Sequence, residues 1–418
     1  MKDTDVLIIG AGPGGSVAAA YLQANNVRVR VVEKSRFPRF TIGESLLPRS
    51  MEHFEATGLL PCIEARGFEV KTGARFLRDG VECLFDFSQK HSKGWDWTWQ
   101  VPRAEFDKVL IDEVASRGVP VDFGVEVTEV DLNADGSSNV TLKDESGAIS
   151  VIKARHIIDC SGNARVIGRK LGLDAPAGIA QHTAIFGHVQ DVRRPDDANK
   201  SLISFDVFDD DTWMWSIPFS NGISSVGFVG LAERIAAVEG SPEERMAELL
   251  KLTEMFHDRY AGLEFIVGPY EAKNYSHGVT KLYGKGYVLA GNSASFLDPI
   301  FSSGVAFATE SSLLAARLIH REIQGEKVDW EVEYNDHIKG GVEVFRTYVA
   351  EWYTGNLQKL FFHRPENLEV KKQICAVLAG YVWDRSNPFV TKHDRIVKNL
   401  AHLIDMEKEA STASGSSV

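Results

Sequence analysis

Glycines at positions 10, 12 and 15 close the run Val6-Leu7-Ile8-Ile9-Gly10-Ala11-Gly12-Pro13-Gly14-Gly15, and a carboxylate follows at Glu33. Residues of these types at this spacing serve the binding of a dinucleotide. The first glycine allows a tight turn from strand to helix, and the second lets backbone approach a pyrophosphate. The third lets the helix lie close on the sheet. The helix N-terminus then offers free N–H groups and a positive dipole end to phosphates. Glu33 ends the next apolar strand, Val27 to Val32, where a carboxylate can take ribose hydroxyls. An ordinary βαβ turn without a ligand is the alternative reading, and it must then account for strand, helix and acid all being in place.

The elements that must position these groups follow in order. Lys34 to Ser45 is a basic, glycine-punctuated connection whose Arg36 and Arg39 either neutralise phosphate charge or stand as ordinary surface arginines. Pro48 to Leu59 reads as a helix with Met51, Phe54 and Leu59 on its apolar face. Gly67 to Phe76 starts a strand away from the first sheet. The alternation Trp95-Asp96-Trp97-Thr98-Trp99-Gln100-Val101 predicts a strand with three indoles on one face. Pro102-Arg103 opens a helix through Leu110. Val121 to Val127 reads as a strand, followed by hairpins at Asp135-Gly136 and Glu145-Ser146-Gly147. His156 to Gly162 is an apolar strand ending in a small-residue turn, a second place where backbone could touch a ligand.

From about Gln181 to Lys273 the pattern is that of an antiparallel sheet, interrupted by one helix that opens on the capping pattern Ser241-Pro242-Glu243-Glu244. Gly286 to Asn292 returns to the parallel sheet, and a small-residue helix runs from Val305 to Ile319. Helical pattern continues from Val328, with Phe345, Tyr348, Trp352, Leu357, Leu360 and Phe361 as a stripe that reads as core. Ser411 to Val418 is polar and is expected to be disordered.

The formal net charge of −12 with no basic block argues against a nucleic-acid partner. No apolar run is long enough to span a bilayer. No signal-peptide pattern precedes the first strand, and Cys62, Cys83, Cys160 and Cys375 form neither a metal motif nor a disulfide framework. A cytoplasmic setting with reduced thiols and no metal is expected.

Three separated stretches, Gly10 to Glu33, Asp159-Cys160-Ser161-Gly162, and Gly291-Asn292 with Asp298-Pro299, together resemble the FAD-dependent monooxygenase-like fold. That fold carries Gly-Asp where this chain has Gly291-Asn292, and Asn292 can still accept a hydrogen bond. A sharper resemblance lies on top. Trp213-Met214-Trp215-Ser216-Ile217-Pro218 is similar to the Trp-x-Trp-x-Ile-Pro motif of flavin-dependent halogenases. Gly67 to Gly73 resembles the segment holding that family's active-site lysine, here Lys71. Asp298-Pro299-Ile300-Phe301-Ser302-Ser303-Gly304-Val305 resembles a run of its pyrrole and phenol branch. Tryptophan halogenases carry a catalytic glutamate where this chain has Phe301, which argues against free tryptophan as substrate.

The resemblance implies an α/β fold: a Rossmann-type FAD-binding domain (1–75, 100–180, 275–330), an inserted antiparallel-sheet substrate domain (76–99, 181–274) and a C-terminal helical region (331–410). It implies FAD on Gly10, Gly12, Pro13, Gly14, Gly15, Glu33, Lys34, Ser45, Arg103, Val127, Gly291, Asn292 and Asp298. In such halogenases reduced FAD and O2 give a flavin hydroperoxide that a halide, chloride or bromide, converts to hypohalous acid. The halide falls to backbone N–H groups of Ser303 and Gly304, where Ser302 and Ser303 could equally cap the helix.

Lys71 would hydrogen-bond hypohalous acid or form a haloamine; a surface lysine is the plain alternative. Trp213 and Trp215, with Ile217 and Pro218, would keep substrate off the flavin, or serve as core. The expected activity is FADH2-dependent halogenation of an electron-rich aromatic of pyrrole or phenol type, free or carrier-tethered, fed by a separate flavin reductase. An FAD-dependent aromatic monooxygenase, a geranylgeranyl-reductase-like enzyme and a non-catalytic FAD-binding redox module are the alternatives.

Overall fold

The computed structural model describes residues 2–262, 264–363 and 368–415. Two compact units account for the chain: residues 1–68, 101–178 and 276–340 form the first, and 69–100, 179–275 and 341–418 the second. Residues 69–75 therefore group with the second unit, as do the C-terminal helices from Gly341 onward.

The first unit is built on an eight-stranded sheet. Its parallel core pairs Lys2–Ile9 with Ile149–Asp159 on one side and with Val29–Glu33 on the other. Tyr287–Leu289 and Val121–Phe123 extend it in parallel at either end. Val6, Leu7, Ile8 and Val31 are fully buried, as strands covered on both faces must be. The carboxyl ends of three strands line up: the Gly10 amide donates to the Val32 carbonyl, Cys160 to Ile9, and Ala290 to Asp159. Ligands of open parallel sheets bind at that edge. The expected single strand Val121 to Val127 is broken at Gly124, whose φ of +71° turns the chain between Val121–Phe123 and Val125–Leu132.

The small-residue helix, Gly304–Ile323, packs closely on this sheet's first helix, Pro13–Ala24. A Cβ on Gly14 would meet the Ser312 Oγ at 2.8 Å and the Ala308 carbonyl at 3.0 Å. The same helix is stitched to Arg49–Ala56 by one carboxylate. Glu310 receives His53 at 2.7 Å, Arg49 at 2.8 Å and His337 at 2.9 Å. Burial opposes its ionisation, but these hydrogen bonds and charges outweigh burial and hold the carboxyl far below the usual carboxylate range.

The second unit centres on a seven-stranded sheet in the order Phe265–Lys273, His182–Gln190, Ile223–Leu231, Trp213–Pro218, Ile203–Val207, Gly73–Arg78, Val81–Asp86. It is antiparallel as expected except that Gly73–Arg78 runs parallel to Ile203–Val207. Three helices, not one, occupy the stretch after Leu231: Ala232–Ala236, Pro242–Leu250 and His257–Tyr260. The capping box at Ser241 and Glu244 starts the longest of them. They cover one sheet face through Met214, Val226, Phe228, Met246, Leu249 and Phe256.

On the other face Phe76 stacks on Phe205 with ring centroids 4.5 Å apart, and Phe85 meets Phe361 at 4.7 Å. The stripe from Phe345 to Phe361 is thus core: all six of its residues are buried. Gly67 to Phe76 does not form one strand, because the chain leaves the short strand Glu69–Lys71 at Thr72 and re-enters at Gly73.

The three indoles do not share a strand face. Only Thr98–Gln100 pairs as a strand. Trp95, Trp97 and Trp99 instead pack edge to face, with centroids 5.4 Å and 5.0 Å apart. The final helix, His393–Gly415, reaches into the polar tail expected to be disordered, residues 411–418. The remainder of that expectation, 416–418, lies outside the described residues. Among the described residues no helix is long and apolar enough to cross a membrane.

Candidate functional site

In the first unit the glycines of the fingerprint divide by what requires them. Gly10 adopts a φ of +102°, and a Cβ there would lie 2.4 Å from the Cys160 carbonyl oxygen. A Cβ on Gly15 would lie 2.0 Å from the Gly10 carbonyl oxygen. Gly12 is different. A Cβ there would meet nothing nearer than the Arg39 Nη2 at 3.6 Å and the Asp107 Oδ2 at 3.9 Å, ordinary contact distances. Packing within the chain therefore does not require glycine at position 12, and there is room beside it. A pyrophosphate approaching backbone is what such a space fits.

Charged groups surround that space. Arg39 pairs with Asp107 at 3.3 Å. Arg103 grips the same carboxylate through Nε at 2.7 Å and Nη2 at 3.0 Å, and its Nη1 donates to the Ile42 carbonyl. Arg36, the other arginine of the basic connection, is instead paired with Glu145 on the surface. The sequence offers both arginines alike; only the chain path brings Arg39 to Gly12. Asp107 was not readable as part of the site, although its place one helical turn after Arg103 is the one available signal.

Glu33 faces the glycine turn. Its Oε2 accepts the Ala11 amide at 2.9 Å and its Oε1 the Ser35 amide at 2.8 Å. Lys34 is exposed and pairs with Glu126 at 2.8 Å, next to the buried Val127. The Ser45 hydroxyl is buried with no hydrogen-bond partner among the described residues, a second feature that a bound polar group would complete.

The second turn is braced by Asp159, whose carboxylate accepts the Ser161 and Ile167 amides at 2.9 and 2.7 Å. Burial nevertheless pushes its pKa up. The third turn packs on the helix that follows it. Gly291, with φ +58°, leaves no room for a Cβ against Ala308, and its amide donates to Ser311 Oγ at 2.8 Å. The Asn292 side-chain amide donates to Asn163 at 3.3 Å, and its Oδ1 lies 3.7 Å from where a Cβ on Gly304 would be.

Asp298 accepts the Ile300 amide and so caps the short turn Pro299–Phe301. Ser302 follows in the left-handed region, and Ser303 is the N-cap of the 20-residue helix beginning at Gly304. Ser303 makes no side-chain capping bond, so the first amides of that helix are not closed by its hydroxyl. The fingerprint, the second turn and the Gly291 turn thus meet at one sheet edge, with Ser303 and Gly304 beside Asn292.

The second unit holds Lys71 and the tryptophan motif. Lys71 is 2% exposed, on the strand Glu69–Lys71 that pairs antiparallel with Thr98–Gln100. Its ammonium lies over the Phe87 ring at 5.5 Å. Burial pushes its pKa down to about 7, so the amine form is accessible near neutrality. The surface-lysine alternative does not hold. Glu69 anchors the same strand, receiving the Ser201 hydroxyl and lying 3.7 Å from Arg194.

Trp213, Trp215, Ile217 and Pro218 lie in the strand Trp213–Pro218 and are all buried. Trp213 Nε1 donates to the Tyr353 hydroxyl and Trp215 Nε1 to Ser225 Oγ, both at 3.2 Å. A Cβ on Gly227 would lie 2.3 Å from the Trp215 indole, so that glycine exists to admit the ring. Both indoles are core members with satisfied N–H groups.

Comparison with known proteins bears on both units. A family model described as an FAD binding domain matches residues 3–334. A 1H-pyrrole-2-carbonyl-(peptidyl-carrier protein) chlorinase from Pseudomonas fluorescens is 30% identical over 408 residues, covering 91% of this chain and 90% of its own. Among solved structures, a flavoprotein/dehydrogenase from Cytophaga hutchinsonii is 45% identical with a TM-score of 0.95, over 97% of this chain and 100% of that one. The myxobacterial chondrochloren halogenase, an FAD-dependent enzyme, is 26% identical with a TM-score of 0.75, over 97% of each chain. The residues around Gly12 and Ser45 fit the cofactor these names imply. The chain belongs to the FAD-binding domain family and, within it, to the flavin-dependent halogenases.

Proposed function

We propose that the protein is an FADH2-dependent halogenase acting on an electron-rich aromatic of pyrrole or phenol type, free or tethered to a carrier protein. The observation that carries the reading is the burial of Lys71 with its amine form within reach at neutral pH. An ordinary flavin hydroxylation needs no such group. Bound as FADH2, the cofactor supplies hypohalous acid from O2 and chloride or bromide.

The residues divide the remaining work. Gly10, Gly12, Pro13, Gly14 and Gly15 cradle the pyrophosphate, with Arg39 and Arg103 balancing its charge. Glu33 holds the glycine turn through Ala11 and keeps lone pairs for ribose. Lys34, Ser45, Val127, Gly291, Asn292 and Asp298 line or shape the rest. Ser303 and Gly304 offer amides to the halide at a helix N-terminus. Lys71 receives hypohalous acid and directs it to the ring. Trp213 and Trp215 set the shape of the second unit's sheet rather than touching reactants. The relative from Pseudomonas fluorescens is named for a carrier-tethered pyrrole, which supports that substrate class, and Phe301 speaks against free tryptophan. A separate flavin reductase in the same cytoplasm would deliver FADH2.

The 45%-identical flavoprotein/dehydrogenase favours one second reading, an FAD oxidoreductase that does not halogenate. Mass spectrometry of a phenol and a pyrrole, incubated with the protein, a flavin reductase and bromide, separates the two. Brominated product supports the first reading, and turnover indifferent to halide the second.

A further inference from the structure

The strand pair that carries Lys71 holds a second buried polar group. Lys71 is paired directly with Thr98, and Glu69 with Gln100. Opposed residues of an antiparallel pair project from the same face, as do residues two apart on one strand. Lys71 and Thr98 are therefore neighbours on one face, and Thr98 is 0% exposed. Its hydroxyl has no hydrogen-bond partner among the described residues. Gln100 Oε1, on the same face, has none either, although Gln100 Nε2 donates to the Ser201 carbonyl. Buried hydroxyls are nearly always paired, and valine has the same shape as threonine without the penalty of an unmade bond. A hydroxyl kept in this state beside a buried amine is the mark of a polar ligand that arrives there.

We propose that Thr98 is a further catalytic residue, its hydroxyl being the second hydrogen-bonding contact, with Lys71, for hypohalous acid. This rests on the halogenase reading above. When the aromatic ring attacks the halogen, the carbon–halogen bond forms and the oxygen–halogen bond breaks, its electron pair staying on oxygen. The Thr98 hydroxyl donates to that oxygen as negative charge develops on it. The oxygen then takes the proton lost by the ring, and halogenated aromatic and water leave.

The test compares Thr98→Val and Thr98→Ser with the wild-type protein in melting temperature, FADH2 oxidation, and bromination of a phenol and a pyrrole. Thr98→Val should melt no lower than wild type, oxidise FADH2 normally and lose about tenfold or more of the product. Thr98→Ser should keep most of it. A Thr98→Val protein that melts several degrees lower would show that the hydroxyl has a structural partner, and would overturn the assignment whatever its activity. Equal product from Thr98→Val and wild type, or equal loss in both variants, would overturn it as well. Absence of product from the wild type would instead overturn the halogenase reading, and this assignment with it, so the two failures are distinct.

Discussion

Glu33 braces the glycine turn: one oxygen of its carboxylate accepts the Ala11 amide at 2.9 Å while the other takes the Ser35 amide. In the proposed function the same acid orders the glycine turn and takes the ribose hydroxyls. Glu33→Gln keeps the shape but turns an NH2 group toward one of the two amides. Loss of a charge-assisted bond of this kind costs about 1–3 kcal/mol. We expect FAD affinity, measured by flavin fluorescence titration, to weaken about tenfold, with a lower melting temperature for the free protein. Unchanged values of both would remove Glu33 from the cradle.

Gly12 and Gly15 should separate binding from folding. A methyl at position 12 meets only ordinary contacts, whereas one at position 15 lies 2.0 Å from a carbonyl oxygen. Gly12→Ala should therefore melt like the wild type without FAD yet lose at least about tenfold in FAD affinity. Gly15→Ala should be destabilised before any ligand is added. Normal FAD binding by Gly12→Ala would mean that the pyrophosphate lies elsewhere.

The two indoles of the motif make a different prediction. Trp213 and Trp215 are 1% and 4% exposed, and each donates its N–H to a neighbour. Replacing one by alanine should cost about 3–5 kcal/mol of stability, read as the shift in a chemical-denaturation midpoint. Trp215→Phe should cost less and retain halogenation. A double alanine variant that stays folded but trades halogenated for hydroxylated product would restore a gating role to the motif.

Lys71 should leave a pH signature in stability. Its folded pKa is about 7 through burial, against about 10.4 in the unfolded chain. Below pH 7 both states carry the proton, and the full burial penalty applies. Between those values the unfolded state binds more protons, so wild-type stability rises with pH. Lys71→Met lacks this titration. The stability difference between Lys71→Met and wild type should narrow by roughly 4 kcal/mol from pH 6 to pH 10.5. A constant difference would mean that Lys71 does not titrate near neutrality.

Much of the first unit is legible in the sequence because its signals are contiguous: strand, glycine turn, helix and Glu33 occupy residues 6 to 33. The second unit is less so. Trp95 to Trp99 alternate like a strand, but Gly94 turns the chain at φ +116° and the Trp95 carbonyl accepts the Tyr381 hydroxyl, a partner remote in sequence. Nothing local reveals that Gly73–Arg78 pairs in parallel with Ile203–Val207, since a strand's pattern does not name its neighbour. Thr98 is silent for the same reason. Its meaning comes from standing opposite Lys71, a register that only pairing defines.

The most direct measurement is product formation by Lys71→Ala in the presence of FADH2, O2, bromide and an electron-rich aromatic. With Lys71 as the group that receives hypohalous acid, the variant should hold FAD normally and oxidise FADH2 at the wild-type rate. It should yield almost no brominated product. Lys71→Arg should also fail, because a guanidinium keeps the charge but cannot become a neutral amine. Bromination by Lys71→Ala at the native rate would contradict the proposed mechanism at its central residue.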